Sequence, residues 1–233
     1  MATRTLVTVP TRQNVNNLVF NSDFEYAPTF VGAANVVSRW IDGTAAGSST
    51  NPDFGWYLST SSGAPTAWSA QFDSAVSHSG SGSLKLNITT VSVNQDIDLT
   101  SSNVVRGGTA VRGPRLIPVL PSTSYTFSYW LKYTSISNNN AQGIRVRVQT
   151  QTGALANDSA ALYSNGFLTG TADWTRFTGT FTTSANAKFA VIFMYLQGET
   201  GTAWIDDITF GPTTAIVRST SGTRSAAVSR ALT

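Results

Sequence analysis

The stretch "SYTFSYWLKYT", residues 124–134, sets Tyr125, Phe127, Tyr129, Leu131 and Tyr133 against Thr126, Ser128, Trp130 and Lys132. Successive side chains of a β-strand point to opposite faces, so a run with this period builds one core face and one outer face. The pattern recurs at 83–91, where Leu84, Leu86 and Ile88 alternate with Ser83, Lys85 and Asn87. At 143–153 it sets Ile144, Val146 and Val148 against Arg145, Arg147 and Gln149. Residues 174–183, 188–197 and 202–210 read as further strands, with Gly, Asn, Ser and Pro between the runs. No amphipathic helix longer than two turns and no repeat of fixed period is visible. The expectation is an all-β chain folded as an antiparallel β-sandwich rather than an α/β protein.

At 233 residues one sandwich accommodates the chain, and a charged content of only 12% suits polar outer faces and many turns. Residues 1–16 read as an N-terminal arm, 17–211 as the folded domain, and 212–233 as a flexible C-terminal tail or a segment that docks on a partner. A net charge of +3 is too weak a footprint for nucleic acid as the main partner. No cysteine is present, so there is no disulfide framework and no thiolate site. The first residues, "MATRTLVTVPTRQNVNN", carry no apolar signal region, and no run is long enough for a membrane helix. Synthesis in the cytosol without a secretory signal and without membrane insertion is the corresponding expectation.

Catalytic signatures are weak. The single histidine, His78, sits in a Gly/Ser turn, and no G-x-S-x-G elbow surrounds a serine, so His78 reads as structural. Most acids lie in turns or at strand ends, where Asp serves local hydrogen bonding. The "QDID" at 95–98 does not continue into an EF-hand, and the Gly-rich runs precede strands rather than helices. The chain reads as a non-enzyme.

Five stretches occur in order: "NLVFNSDFE" (17–25), "HSGSGSLKL" (78–86), "LPSTSYTFSYWLKY" (120–133), "DWTRFTGTFTT" (173–183) and "AWIDDITF" (203–210). Together they resemble the galactose-binding-like jelly roll of carbohydrate-binding modules that accompany xylanases and glucanases. The resemblance covers residues 17–211, and the segment 44–75 departs from it. It implies a jelly roll whose first and last strands meet, often around a structural calcium ion. It maps the clasp onto Glu25 and Asp206, with Ser83 or Lys85 supplying backbone carbonyls. Calcium takes several oxygens, carboxylate and carbonyl mixed, and two converging carboxylates without a cation would repel. A Glu25 that caps backbone N–H groups or pairs with an arginine is the alternative.

The resemblance also implies a sugar-binding sheet face with an aromatic platform and hydrogen-bonding side chains. By alternation Trp130, Lys132, Arg145, Arg147 and Gln149 are the residues available for it. A solvated polar face with Trp130 tucked under a loop is the competing reading. Trp56 and Tyr57, with Phe54 and Trp68, form a binding rim, an interface or a satellite core. Trp40, Trp174 and Trp204 read as core residues. The function that follows is non-catalytic binding of a polysaccharide or cell-surface glycan. A phage virion protein, displayed on tail or capsid for host attachment, fits a leaderless sugar-binding jelly roll, with arm or tail contacting other virion proteins. The alternatives are a module of a secreted glycoside hydrolase and a structural virion protein without sugar affinity.

Overall fold

The computed structural model describes residues 17–19, 22, 24, 56–59, 65–101, 116–152 and 162–213; for 57–59 only the backbone is described. The described strands are β1 (Tyr57–Ser59), β2 (Ala67–Asp73), β3 (Ser83–Thr90), β4 (Asp96–Thr100), β5 (Ile117–Pro118) and β6 (Ser124–Ile136). They continue with β7 (Gly143–Gln151), β8 (Tyr163–Ser164), β9 (Gly170–Thr182), β10 (Phe189–Gln197) and β11 (Gly201–Pro212). Every pairing among them is antiparallel.

The strands form two packed sheets. A six-stranded sheet runs β1-β4-β10-β7-β8 with β5 also paired to β10, and a five-stranded sheet runs β2-β3-β11-β6-β9. This is the antiparallel β-sandwich that the alternating runs call for, of the jelly-roll type that the resemblance implies. Leu84, Leu86 and Ile88 of β3, Phe127, Tyr129 and Leu131 of β6, and Ile144, Val146 and Val148 of β7 are all buried in one core between the sheets. Five described strands, β1, β2, β4, β5 and β8, lie outside the runs read from the sequence. β2 holds only Ala70 fully buried, and β4 is five residues long with two aspartates, although Ile97 and Leu99 still alternate into the core.

β10 differs from its neighbours. Ala190, Ile192, Met194 and Leu196 enter the main core, while Val191, Phe193 and Tyr195 form a second apolar cluster on the outer side with Leu116 against it. Such a strand, covered on both faces, reads in sequence as the unbroken apolar run "FAVIFMYL".

The first and last parts of the domain do meet. Leu18 N donates to Phe210 O, Phe210 N to Asn17 Oδ1, Asn17 Nδ2 to Ile208 O, and Ile208 N to Ser22 O. The register of β11 on β6 slips between Asp206 and Thr209, and Asp207 adopts φ 47 in that bulge. The arm at 1–16 and nearly all of the tail at 212–233 lie outside the described residues, as do Glu25, Trp40 and Phe54.

At one end the chain crosses between sheets twice, and Glu199 ties the crossings together. Its carboxylate accepts from Ser137 Oγ (2.6 Å), Asn139 N (2.9 Å) and Asn140 N (2.5 Å) and is almost wholly buried. Burial alone would raise its pKa, but the bonds from Ser137, Asn139, Asn140 and Gln142 prevail and hold it below 4.5. Removing the carboxylate would take the acceptor from three part-buried donors, at a cost of about 1–3 kcal/mol. Glu199→Ala is therefore expected to lower the unfolding free energy, read from urea melts at neutral pH, by that order. A depressed folded-state pKa contributes stability above the unfolded value and loses it as pH falls through the folded value. In melts taken across the acid range, the stability gap between wild type and variant should thus be full above pH 4.5 and close below it.

Candidate functional site

Sandwich geometry separates residues that the sequence placed together. Trp130 and Lys132 belong to β6 in the five-stranded sheet, whereas Arg145, Arg147 and Gln149 belong to β7 in the six-stranded sheet. Each set points away from the core on its own sheet. They therefore stand on opposite sides of the molecule and cannot make one platform, which corrects the expectation drawn from alternation. Alternation reports inner versus outer, not which of two sheets a strand joins.

On the five-stranded sheet the outer polar groups are matched. Trp130 lies under His78, ring centroids 3.7 Å apart and planes 15° apart, and Trp174 meets His78 edge-on at 5.8 Å. His78 Nδ1 is 2.6 Å from Asp207 Oδ2, and Ser79 Oγ donates to Asp207 Oδ1 at 2.7 Å. These are the residue types of a nucleophilic triad in the wrong order, because the serine donates to the aspartate rather than to the imidazole. Lys132 Nζ bonds Asp173 Oδ1 at 2.6 Å. Trp204 is 8% exposed on this outer face, donates Nε1 to Asp73 Oδ2 at 2.9 Å, and lies beneath Lys85 Nζ, 5.3 Å from its ring centroid. Lys85 also reaches Asp73 Oδ2 at 3.3 Å. Trp174 and Trp204 thus stand outside the inter-sheet core, contrary to expectation.

Asp206 is buried beside this cluster. Its Oδ2 accepts His78 N (2.8 Å) and Ser79 N (3.2 Å), and its Oδ1 accepts Asp207 N (2.8 Å). Burial pushes its carboxyl up to about 6, with the Asp207 charge adding and the three N–H bonds opposing. As a calcium clasp the described donors are few. Two N–H groups fill Asp206 Oδ2, the Ser83 hydroxyl donates to Val76 O, and the backbone of Lys85 is paired to β2 and β11 on its two sides. Asp206 Oδ1, with one N–H bound, keeps a lone pair, and calcium takes six to eight oxygens in all.

The outer face of the six-stranded sheet is built differently. Arg145 Nε donates to Ser164 Oγ at 2.7 Å, and its guanidinium lies 5.0 Å from the Phe167 ring centroid. Phe167, 36% exposed, meets Tyr195 of β10 edge-on at 6.1 Å. The turn carrying Phe167 is pinned by Asn165 Oδ1, which accepts Val146 N, and by Gly166 N, which donates to Ser164 Oγ. Gly166 has φ +75, a conformation glycine adopts without a Cβ clash. Beside Arg145 on β7, Arg147 Nε and Gln149 Oε1 are shut from solvent with no hydrogen-bond partner. Gln149, at 7% exposed, is on the expected face but is not solvated. Register places Asp98 opposite Tyr195, which is opposite Arg145, so one row crosses β4, β10 and β7.

Sequence reasoning missed Phe167 and Tyr195. Phe167 lies in a short "SNGF" turn with no period, and Tyr195 is hidden in the apolar run of β10. The Asn-Gly pair was the usable signal for a tight turn. Trp56, expected as a binding residue, is 2% exposed and packs against Phe24 at 5.6 Å in the main core, so it offers no ring to a ligand. Tyr57 pairs in register with Thr100 at the β1 edge of the six-stranded sheet.

No protein-family model matches the chain, and no curated protein matches it in sequence. Among solved structures it is similar to the enzymatically active domain of tailspike protein 4 from bacteriophage CBA120, at 13% identity and TM-score 0.53. That likeness covers 84% of this chain and 21% of the other, so the chain spans about a fifth of that tailspike's length. It is also similar to a CBM4 structure (20% identity, 70% of this chain and 89% of that one, TM-score 0.43). A further likeness is to TmCBM61 in complex with β-1,4-galactotriose (12% identity, 84% and 98%, TM-score 0.46). At these identities what is shared is the fold.

Because His78 rests on Trp130, Trp130→Ala should loosen residues 74–82. We expect a stability loss of about 1–3 kcal/mol and faster amide exchange in that segment. Unchanged exchange there would show that the stack does not hold the loop.

Proposed function

We propose that this protein is a non-catalytic carbohydrate-binding module whose ligand lies on the outer face of the six-stranded sheet, around β7 and β8. The observation that carries the reading is the Arg145–Phe167–Tyr195 arrangement beside the unpartnered atoms of Arg147 and Gln149. Exposed aromatic rings pack on the apolar faces of sugars, while guanidinium donors and amide oxygens serve hydroxyl groups. On the five-stranded sheet, by contrast, Trp130 has His78 on its ring and Lys132 has its carboxylate. The aromatic platform of this proposal is therefore Phe167 rather than Trp130.

The setting we propose is a phage virion, where a glycan-binding sandwich would serve attachment to a host surface. The shared fold with part of a phage tailspike supports it. Proteomics of purified virions, together with the genes on either side, tests this; neighbouring genes for a secreted polysaccharide hydrolase would replace the virion with that enzyme. We also propose a structural calcium ion between Glu25 and Asp206, supported by the spare lone pair on Asp206 Oδ1 and the bonds of Asn17, Leu18 and Ser22 to β11.

A glycan array is expected to return binding that Phe167→Ala and Arg145→Ala each weaken about tenfold, the scale of one lost charge-assisted contact. Trp130→Ala, assayed below its melting point, should bind like wild type. A flat array would leave a structural protein without sugar affinity. For the metal, EDTA should lower Tm and calcium should restore it, and an unchanged melt removes the ion.

A further inference from the structure

The charge on the outer face of the six-stranded sheet narrows the kind of glycan it fits, an inference that rests on the sugar-binding reading above. Arg147 is half-buried, its Nε has no partner, and no ion pair involves it among the described residues. Taking a guanidinium partly out of water without a counter-charge costs free energy. Arg145 stands two positions away on the same face of β7, ~7 Å along the strand. Its Nε bonds only the neutral Ser164 hydroxyl, and its plane lies over Phe167.

Among the described residues, the carboxylates on this face do not answer that charge. Asp96 and Asp98 of β4 are separated from β7 by the whole of β10, and both already have partners. The opposite sheet shows what a settled face looks like in this protein: Lys85 has Asp73 and Lys132 has Asp173. Gln149, next after Arg147 on the face and 7% exposed, has a buried Oε1 that accepts nothing. A cationic pair without a described counter-charge matches a ligand carrying an anion.

We propose that the ligand is an acidic glycan. Its carboxylate or phosphate is held by Arg147 and Arg145, and a sugar ring rests on Phe167. Guanidinium forks suit planar or tetrahedral oxyanions because two parallel N–H bonds can form at once.

The test is titration calorimetry on the full chain with three probes: polygalacturonate for carboxylate, a phosphomannan for phosphate, and a neutral β-1,4-galactan. One of the charged probes should bind more tightly than the neutral one, and which of the two it is identifies the anion. Its affinity should fall as salt rises, and Arg147→Gln should weaken it about tenfold. Arg176→Gln, on the other sheet, should not. The salt dependence of wild type needs no variant, so a misfolded Arg147→Gln would not void the experiment. Neutral galactan bound as tightly as the charged probes, or binding indifferent to salt, overturns the acidic ligand while leaving a sugar-binding module in place. No binding to any of the three, with a flat glycan array, overturns both.

Discussion

The architecture depends on β10 being buried on both sides. Its inner residues, Ala190, Ile192, Met194 and Leu196, complete the core between the sheets, and its outer residues, Val191, Phe193 and Tyr195, make a second apolar layer. A central strand of an antiparallel sheet more often presents one face to water. Here the outer layer gives β7 a firm flank, because Phe193 is in register with Arg147 and Tyr195 with Arg145. A guanidinium standing beside a packed aromatic has fewer rotamers to lose on binding than one standing in solvent, which is the physical sense of a preorganised site.

The two outer faces differ in how completely their polar groups are satisfied. On the five-stranded sheet, Asp73 joins Trp204 and Lys85, Asp207 joins His78 and Ser79, and Asp206 takes three backbone N–H groups. A face of that kind has little left to offer a ligand, and its aromatics serve to fasten the 74–82 segment down. On the six-stranded sheet the buried atoms of Arg147, Gln149 and Gln151 have no partners. Buried polar groups are ordinarily hydrogen-bonded, and these clustered exceptions on one face are what the proposed ligand site rests on.

The two glutamates show the same contrast between composition and placement. A scarce residue invites a functional reading, and Glu25 attracted one from its position in "NLVFNSDFE". Glu199 attracted none, because its neighbours "QGET" look like an ordinary turn. Folding brings the 137–142 connection onto that turn, and Glu199 accepts Ser137, Asn139 and Asn140 there. Those donors are about 60 residues away in sequence, a separation no local pattern reports.

By itself the sequence determined the fold class and the inner or outer side of nearly every long strand, since side-chain alternation is a local property of the extended backbone. Leu84, Phe127, Ile144 and Val146 are buried where alternation puts them, and Arg145 and Arg147 point away from the core. It also marked the meeting of Asn17, Leu18 and Ser22 with β11, through a resemblance spread over the chain. Tertiary structure alone decided which outer residues share a face. Trp130 and Arg147 both point outward, yet sheet membership is set by pairing between strands distant in sequence, β6 with β11 and β9, β7 with β10 and β8. That pairing put Trp130 beneath His78 on one outer face and Phe167 beside Arg145 on the other.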